Sequence, residues 1–140
     1  MEQLKTCYET YLAKAEEVWK DRPVWDGFLG LGESSKDHPC HMKFIQSVET
    51  WTEEFLKSNP TAQQAEEAVT YILEAAEPHK DKFPYWTLYA AHGLARPLIG
   101  FVSPQYAARM RVWYNAHYPR RERMPAHQEL FKLLKKRERG

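Results

Sequence analysis

The stretch TAQQAEEAVTYILEAAEP, residues 61–78, carries the clearest helical pattern in the chain. Its apolar residues recur in steps of three and four, and this period places them on one face of an α-helix: Ala62, Ala65, Ala68, Val69, Ile72, Leu73 and Ala76. The alanines at this spacing indicate close approach to a neighbouring helix. Pro78 predicts the end of the helix, because proline lacks the amide hydrogen that a further turn requires.

The same period appears before this stretch. The apolar residues from Leu4 to Trp19 predict a first helix that ends near Asp21, and residues 37–57 predict a second one with Asp37 as its N-cap. Six apolar side chains form the buried stripe expected for the second helix: Phe44, Ile45, Val48, Trp51, Phe55 and Leu56. The Ser-Asn-Pro sequence at 58–60 predicts where it ends.

Two further helices are predicted between residue 78 and the last helix. The first begins near Pro84 and should kink or break between Gly93 and Pro97, where proline clashes with the carbonyl group four residues earlier. Ser103-Pro104 predicts the start of the next, since a capping serine precedes a proline at the first helical position. Four residues between the break and this start are expected to be buried: Leu98, Ile99, Phe101 and Val102.

The last predicted helix begins at Pro125 and is expected to fray from Lys135 onward. No segment shows a sustained period of two with β-branched residues, which a strand would require. We therefore predict an all-α fold, a compact bundle of five to six helices with little or no β-sheet. It should span residues 1–140 as a single helical domain, because this length is typical of one domain.

Composition and hydropathy indicate the cellular setting. No apolar run approaches the roughly 18 residues that a membrane helix needs, and the amino-terminal segment is amphipathic rather than the apolar stretch of a signal peptide. Cys7 and Cys40 are the two cysteines, too few for a disulfide framework, which favours a reducing compartment. We therefore predict a cytoplasmic protein with no membrane partner.

The net charge of +1 hides a division along the chain. Residues 1–95 hold 9 Lys and Arg against 16 Asp and Glu, whereas residues 96–140 hold 11 against 3. The first part is therefore acidic and the second basic. Such a division indicates a charged partner, although the two parts could also pack against each other and neutralise the imbalance internally.

The segment Asp37-His38-Pro39-Cys40-His41 is the densest set of potential metal ligands. His38, Cys40 and His41 are the candidate ligands, but a zinc site needs three or four converging side chains, and a distant histidine would have to complete it. A thiol at a helix N-terminus is also a candidate nucleophile. The segment therefore supports one alternative function, a metal-binding or hydrolytic protein. The simpler interpretation is a capped helix start with Cys40 buried, and we predict no cofactor and no catalytic residue.

Two stripes of polar aromatic and cationic residues follow helical spacing in the later part of the chain. Their members are Tyr85, Tyr89, His92 and Arg96 in the first stripe, and Tyr106, Arg109, Trp113 and His117 in the second. Facing each other, the stripes would form a pocket for an anionic or planar ligand. They could equally belong to a core in which Tyr and His reach the surface with their polar tips.

The basic C-terminal third is the basis of our leading hypothesis, a non-enzymatic interaction protein. Arg120, Arg121 and Arg123 are its principal candidate binding residues, since Arg, Trp and Tyr dominate binding hot spots. The expected partner is a protein or another anionic molecule. Nucleic-acid binding ranks below it, because the isoelectric point of 7.8 is not strongly basic and no nucleic-acid-binding motif is present. Opposite charges on the two parts also allow a homodimer.

Three stretches share a resemblance to known sequences: DHPCHMKF at 37–44, YWTLYAAHGLARPLI at 85–99 and WYNAHYPRRERMP at 113–125. Together they resemble a group of short, all-helical bacterial proteins of unknown function. The resemblance covers about two thirds of the chain. It implies a helical fold and a bacterial cytoplasmic setting, and it implies no activity and no functional residue.

Overall fold

A computed structural model describes residues 1–19, 39–79, 94–123 and 125–140. These residues form five α-helices: α1 (Glu2–Trp19), α2 (Pro39–Lys57), α3 (Ala62–Ala76), α4 (Pro104–His117) and α5 (Pro125–Glu138). Three short 3₁₀ segments connect or extend them: Glu77–His79, Arg96–Phe101 and Arg120–Glu122. The described ranges contain no β-strand. The prediction of an all-α helical bundle is therefore confirmed.

Helix α3 lies at the centre of the core. All but one of its predicted apolar residues have no exposed surface, and these are Ala65, Ala68, Val69, Ile72, Leu73 and Ala76. Ala62, in the first turn, is exposed. Thr61 and Gln64 form a capping box at the N-terminus of α3. The backbone amide of Gln64 donates to Thr61 Oγ1 at 3.2 Å, and the backbone amide of Thr61 donates to Gln64 Oε1 at 3.0 Å. The helix is thus stabilised both by burial and by its own cap.

Helices α1 and α2 pack against each other through aromatic rings. Phe44 of α2 lies 4.8 Å from Tyr8 and 4.4 Å from Tyr11 of α1, measured between ring centroids. Tyr8 also lies edge-on to Tyr71 of α3 at 5.6 Å, which joins this pair of helices to the central one. Helix α2 ends where Asn59 adopts a left-handed backbone conformation with φ of 56°, a conformation that asparagine tolerates better than most residues.

The predicted break near Pro97 takes the form of the 3₁₀ segment Arg96–Phe101, which packs on both α3 and α5. Leu98, Ile99 and Val102 are buried, as predicted. Phe101 departs from the prediction because it remains 36% exposed. Phe101 is the last residue of the 3₁₀ segment and lies at the surface, whereas Val102, where the backbone becomes extended, is buried.

Helices α4 and α5 pack along each other and carry the buried residues Tyr114, Leu130 and Leu134. The Ser103 hydroxyl caps α4, as predicted, by accepting a hydrogen bond from the Tyr106 amide at 3.1 Å. Helix α5 does not fray from Lys135 but continues to Glu138. Within the described ranges, no helix is both long enough and apolar enough to cross a membrane.

Candidate functional site

The second predicted stripe, on α4, contacts α3 and its C-terminal extension. Tyr106 is buried, and its hydroxyl lies 2.6 Å from Thr70 Oγ1 of α3. Burial raises the pKa of Tyr106 to about 12. Near the other end of α4, His117 stacks on Trp113 at 4.4 Å, and its Nδ1 lies 3.3 Å from the Glu77 carboxylate. These residues therefore join α4 to the central helix.

Arg109 is the member of this stripe that faces outward. Its guanidinium lies 6.0 Å from the centroid of the Tyr106 ring, and it lines a groove of about 620 Å³ between α1, α3 and α4. Cations and carboxylates are mixed in this groove, whose charged side chains are Lys5, Glu66, Glu67, Glu74 and Arg109. The groove therefore has no single sign of charge.

Arg96 points to a different part of the molecule. Its guanidinium donates a hydrogen bond to the Glu129 carboxylate of α5, rather than joining the stripe on α4. The other members of the first stripe, Tyr85, Tyr89 and His92, lie outside the described residues. The pocket between two stripes therefore stays a prediction.

Two of the three acidic residues in the C-terminal third form ion pairs with arginines of the same third. Glu129 pairs with Arg96, and Glu138 pairs with Arg111. Hydrogen bonding from Arg111 lowers the pKa of the Glu138 carboxyl below its ordinary value. These pairs neutralise Arg96 and Arg111, which precede residue 120. The cations from Arg120 onward keep their surplus of positive charge.

Part of that surplus is gathered around one groove, which we call the basic groove. It has a volume of about 460 Å³ and lies between α4, the 3₁₀ segment Arg120–Glu122 and α5. Its lining consists of four cations, two amide side chains and one aromatic ring: Arg120, Arg123, Lys132, Lys135, Asn115, Gln128 and Phe131. No described carboxylate is among them. Its volume is within the range of small-ligand sites.

Arg123 is the most constrained cation of the basic groove. Its Nε donates to the Tyr118 carbonyl oxygen at 2.8 Å, and its Nη2 donates to Asn115 Oδ1 at 2.6 Å. Its guanidinium also lies 4.1 Å from the centroid of the Phe131 ring. Arg123 was predicted as a binding residue, and in the structure these contacts hold its guanidinium in one orientation.

The remaining cations of this region are more exposed. Arg120, Lys132 and Lys135 reach the basic groove from the surface, and Lys135 Nζ lies 5.9 Å from the Phe131 ring centroid. Arg121, predicted as a binding residue, is exposed and does not line the basic groove. The spacing of Gln128, Phe131, Lys132 and Lys135 would have shown that all four share one helical face.

The metal-binding alternative falls largely outside the described residues. His38 lies outside them, and so do the side chains of Cys40 and His41, although both residues belong to the first turn of α2. Among the described side chains, no group of three His, Cys, Asp or Glu residues is arranged to hold a metal ion. The thiol of Cys7 is partly buried, and burial raises its pKa, which reduces its reactivity.

Comparison of the chain with protein-family models, with curated proteins and with solved structures finds no match in any of the three.

Proposed function

We propose that this chain is a non-enzymatic binding protein of the bacterial cytoplasm whose basic groove receives an acidic segment of a partner protein. The basic groove carries the proposal, because four cationic side chains line one concavity with no described carboxylate. The cytoplasmic setting rests on the scarcity of cysteine, and the bacterial one on the resemblance of three stretches to short bacterial proteins.

The basic groove combines a constrained cation with adaptable ones. Arg123 is oriented before any ligand arrives, so less conformational entropy is lost when it binds. Arg120, Lys132 and Lys135 lie on flexible stems around it and can adjust to an incoming carboxylate. Clustered positive charge also accelerates the approach of an acidic partner. The arrangement therefore favours recognition of an extended acidic segment rather than a chemical reaction.

Fluorescence anisotropy with a labelled peptide of alternating glutamate and serine tests the proposal. The variant Arg120→Glu/Lys132→Glu, which reverses two charges of the basic groove, should weaken binding by about tenfold or more. A labelled peptide of alternating glutamine and serine should not bind.

The matched control is Lys43→Glu/Lys57→Glu, which makes the same change in net charge on exposed residues of α2. This variant should keep most of the affinity for the acidic peptide. Equal loss in both variants would show that net charge rather than the basic groove attracts the peptide, and the proposal would be wrong.

A double-stranded oligonucleotide serves as the competing ligand. Tighter binding of the oligonucleotide than of the acidic peptide, with steep salt dependence, would replace the proposal by nucleic-acid binding. Binding of the peptide in preference to the oligonucleotide supports a protein partner.

A further inference from the structure

The orientation of Arg123 narrows the chemistry of the ligand. A guanidinium has five N–H donors, and the contacts with Tyr118 and Asn115 involve Nε and Nη2. No described residue accepts a hydrogen bond from Nη1, so its donors can serve a ligand, while the Phe131 ring supports the guanidinium from one side. Such a guanidinium is a rigid donor of the type that binds oxyanions.

Three further cations line the same groove as Arg123: Arg120, Lys132 and Lys135. The Phe131 ring is near two of the four cations, since its centroid is 4.1 Å from Arg123 Cζ and 5.9 Å from Lys135 Nζ. Lys132 is three residues before Lys135 on the same face of α5, and Arg120 lines the basic groove from the 3₁₀ segment. Like charges at this spacing repel one another, and an anion of high charge relieves that repulsion.

We infer that the basic groove recognises a phosphate monoester, carried by a phosphoserine or phosphothreonine in the acidic segment of the partner. This inference rests on the proposed function and names the group that Arg123 binds. A glutamate brings one negative charge and two oxygens, whereas a phosphate monoester brings a charge of about −1.5 to −2 and three strong acceptor oxygens. Four cations around one groove match the phosphate better than a single carboxylate.

The experiment compares three labelled peptides that share acidic flanks and differ only at the central residue, which is phosphoserine, glutamate or serine. The phosphoserine peptide should bind about tenfold tighter than the glutamate peptide, the effect expected of one further charge-assisted hydrogen bond. Equal affinity of the phosphoserine and glutamate peptides would overturn the inference while leaving the proposed function in place. Failure of all three peptides to bind would overturn both.

Two charge-neutralising variants of α5 test whether the preference for the phosphoserine peptide depends on the cations of the basic groove. Lys132→Gln/Lys135→Gln removes two cations of the basic groove, and Lys136→Gln/Arg139→Gln removes two exposed cations that do not line it. The first variant should abolish the preference for phosphoserine over glutamate. The second variant should preserve that preference. It should lower the affinity for both peptides to a similar extent, and by less than the first variant does. Equal behaviour of the two variants would overturn the inference, because it would assign the effect to overall charge.

Competition with inorganic phosphate tests whether the ligand is a phosphorylated protein segment or a free phosphate ion. It should displace the phosphoserine peptide only at a concentration about a hundredfold or more above that of the unlabelled phosphoserine peptide, because it lacks the acidic flanks. Displacement at equal concentration would overturn the assignment to a protein segment.

Discussion

The guanidinium of Arg111 donates two hydrogen bonds to the carboxylate of Glu138, from Nε at 2.5 Å and from Nη2 at 3.1 Å. Arg111 lies in the middle of α4, and Glu138 is the last residue of α5. Beside this pair, Arg137 Nε donates to the Val102 carbonyl oxygen at 2.7 Å. The three contacts together explain why α5 remains helical where its sequence of charged residues predicts fraying.

Glu138→Gln should loosen the last turn of α5. Arg111 loses its charged acceptor, so amide hydrogen exchange at residues 135–139 should become faster and the unfolding temperature should fall slightly. Glu53→Gln is the matched control, since it removes one negative charge from an exposed position of α2. Faster exchange in both variants, or in neither, would contradict a specific role of the Arg111–Glu138 pair.

The contribution of this pair should depend on pH in a defined direction. The pKa of Glu138 is lowered in the folded state by hydrogen bonding from Arg111. The stabilisation is therefore complete above the ordinary glutamate pKa of about 4.3 and is lost as the pH falls through the lower pKa of the folded state. Thermal unfolding at neutral and at strongly acidic pH should show a difference between the original chain and Glu138→Gln only at neutral pH.

Tyr106→Phe tests the connection between α4 and α3. The variant loses the hydrogen bond between Tyr106 and Thr70, which should lower the free energy of unfolding by about 1 kcal/mol at neutral pH. Denaturant unfolding measures this loss. Thr70→Val should have a similar effect, and the double variant should cost less than the sum of the two single variants, because they remove the same hydrogen bond.

The same variant should respond differently to alkaline pH. Burial raises the pKa of Tyr106 from 10 to about 12, so its protonated hydroxyl stabilises the folded state fully below pH 10, and this stabilisation is lost as the pH rises through about 12. The original chain should therefore lose stability between these pH values faster than Tyr106→Phe. A constant difference between the two proteins across this range would show that Tyr106 titrates alike in both states.

Local sequence signals account for most of the described helices. The start of α4 at Ser103-Pro104 and the end of α2 before Asn59 each depend on residues within one turn, and both were predictable. The capping box of Thr61 and Gln64 is equally local, with a recognisable spacing, but sequence reasoning missed it.

The candidate site depends on contacts that no local pattern encodes. Arg96 pairs with Glu129 at a separation of 33 residues, and Arg111 pairs with Glu138 at a separation of 27. The excess of positive charge in residues 96–140 follows directly from the sequence. The packing of α5 on α4 and on the 3₁₀ segment Arg96–Phe101 determines which cations these pairs neutralise. It also determines that Arg123 lies against the Phe131 ring.

Ala68→Leu should destabilise the bundle because Ala68 has no exposed surface and belongs to the hydrophobic core. The larger side chain would force neighbouring groups apart, at a cost of about 1–3 kcal/mol in the free energy of unfolding. Ala62→Leu is the control on the same helix, since Ala62 is exposed, and it should change stability by less than about 0.5 kcal/mol. Equal effects in chemical denaturation would show that the alanine spacing does not reflect close helix packing.

Arg123→Lys tests whether recognition depends on the geometry of the Arg123 guanidinium or only on its positive charge. Lysine keeps the positive charge but presents its donors on a single nitrogen, so it cannot contact the Tyr118 carbonyl and Asn115 while it covers the Phe131 ring. Affinity for the phosphoserine peptide should therefore fall by about tenfold, the effect of one lost charge-assisted hydrogen bond. The dependence of Kd on salt concentration should stay unchanged because the number of charges is the same. Arg123→Gln should reduce both the affinity and the salt dependence. If Arg123→Lys binds the phosphoserine peptide as tightly as the original chain does, charge alone is sufficient, and the oriented guanidinium has no part in recognition.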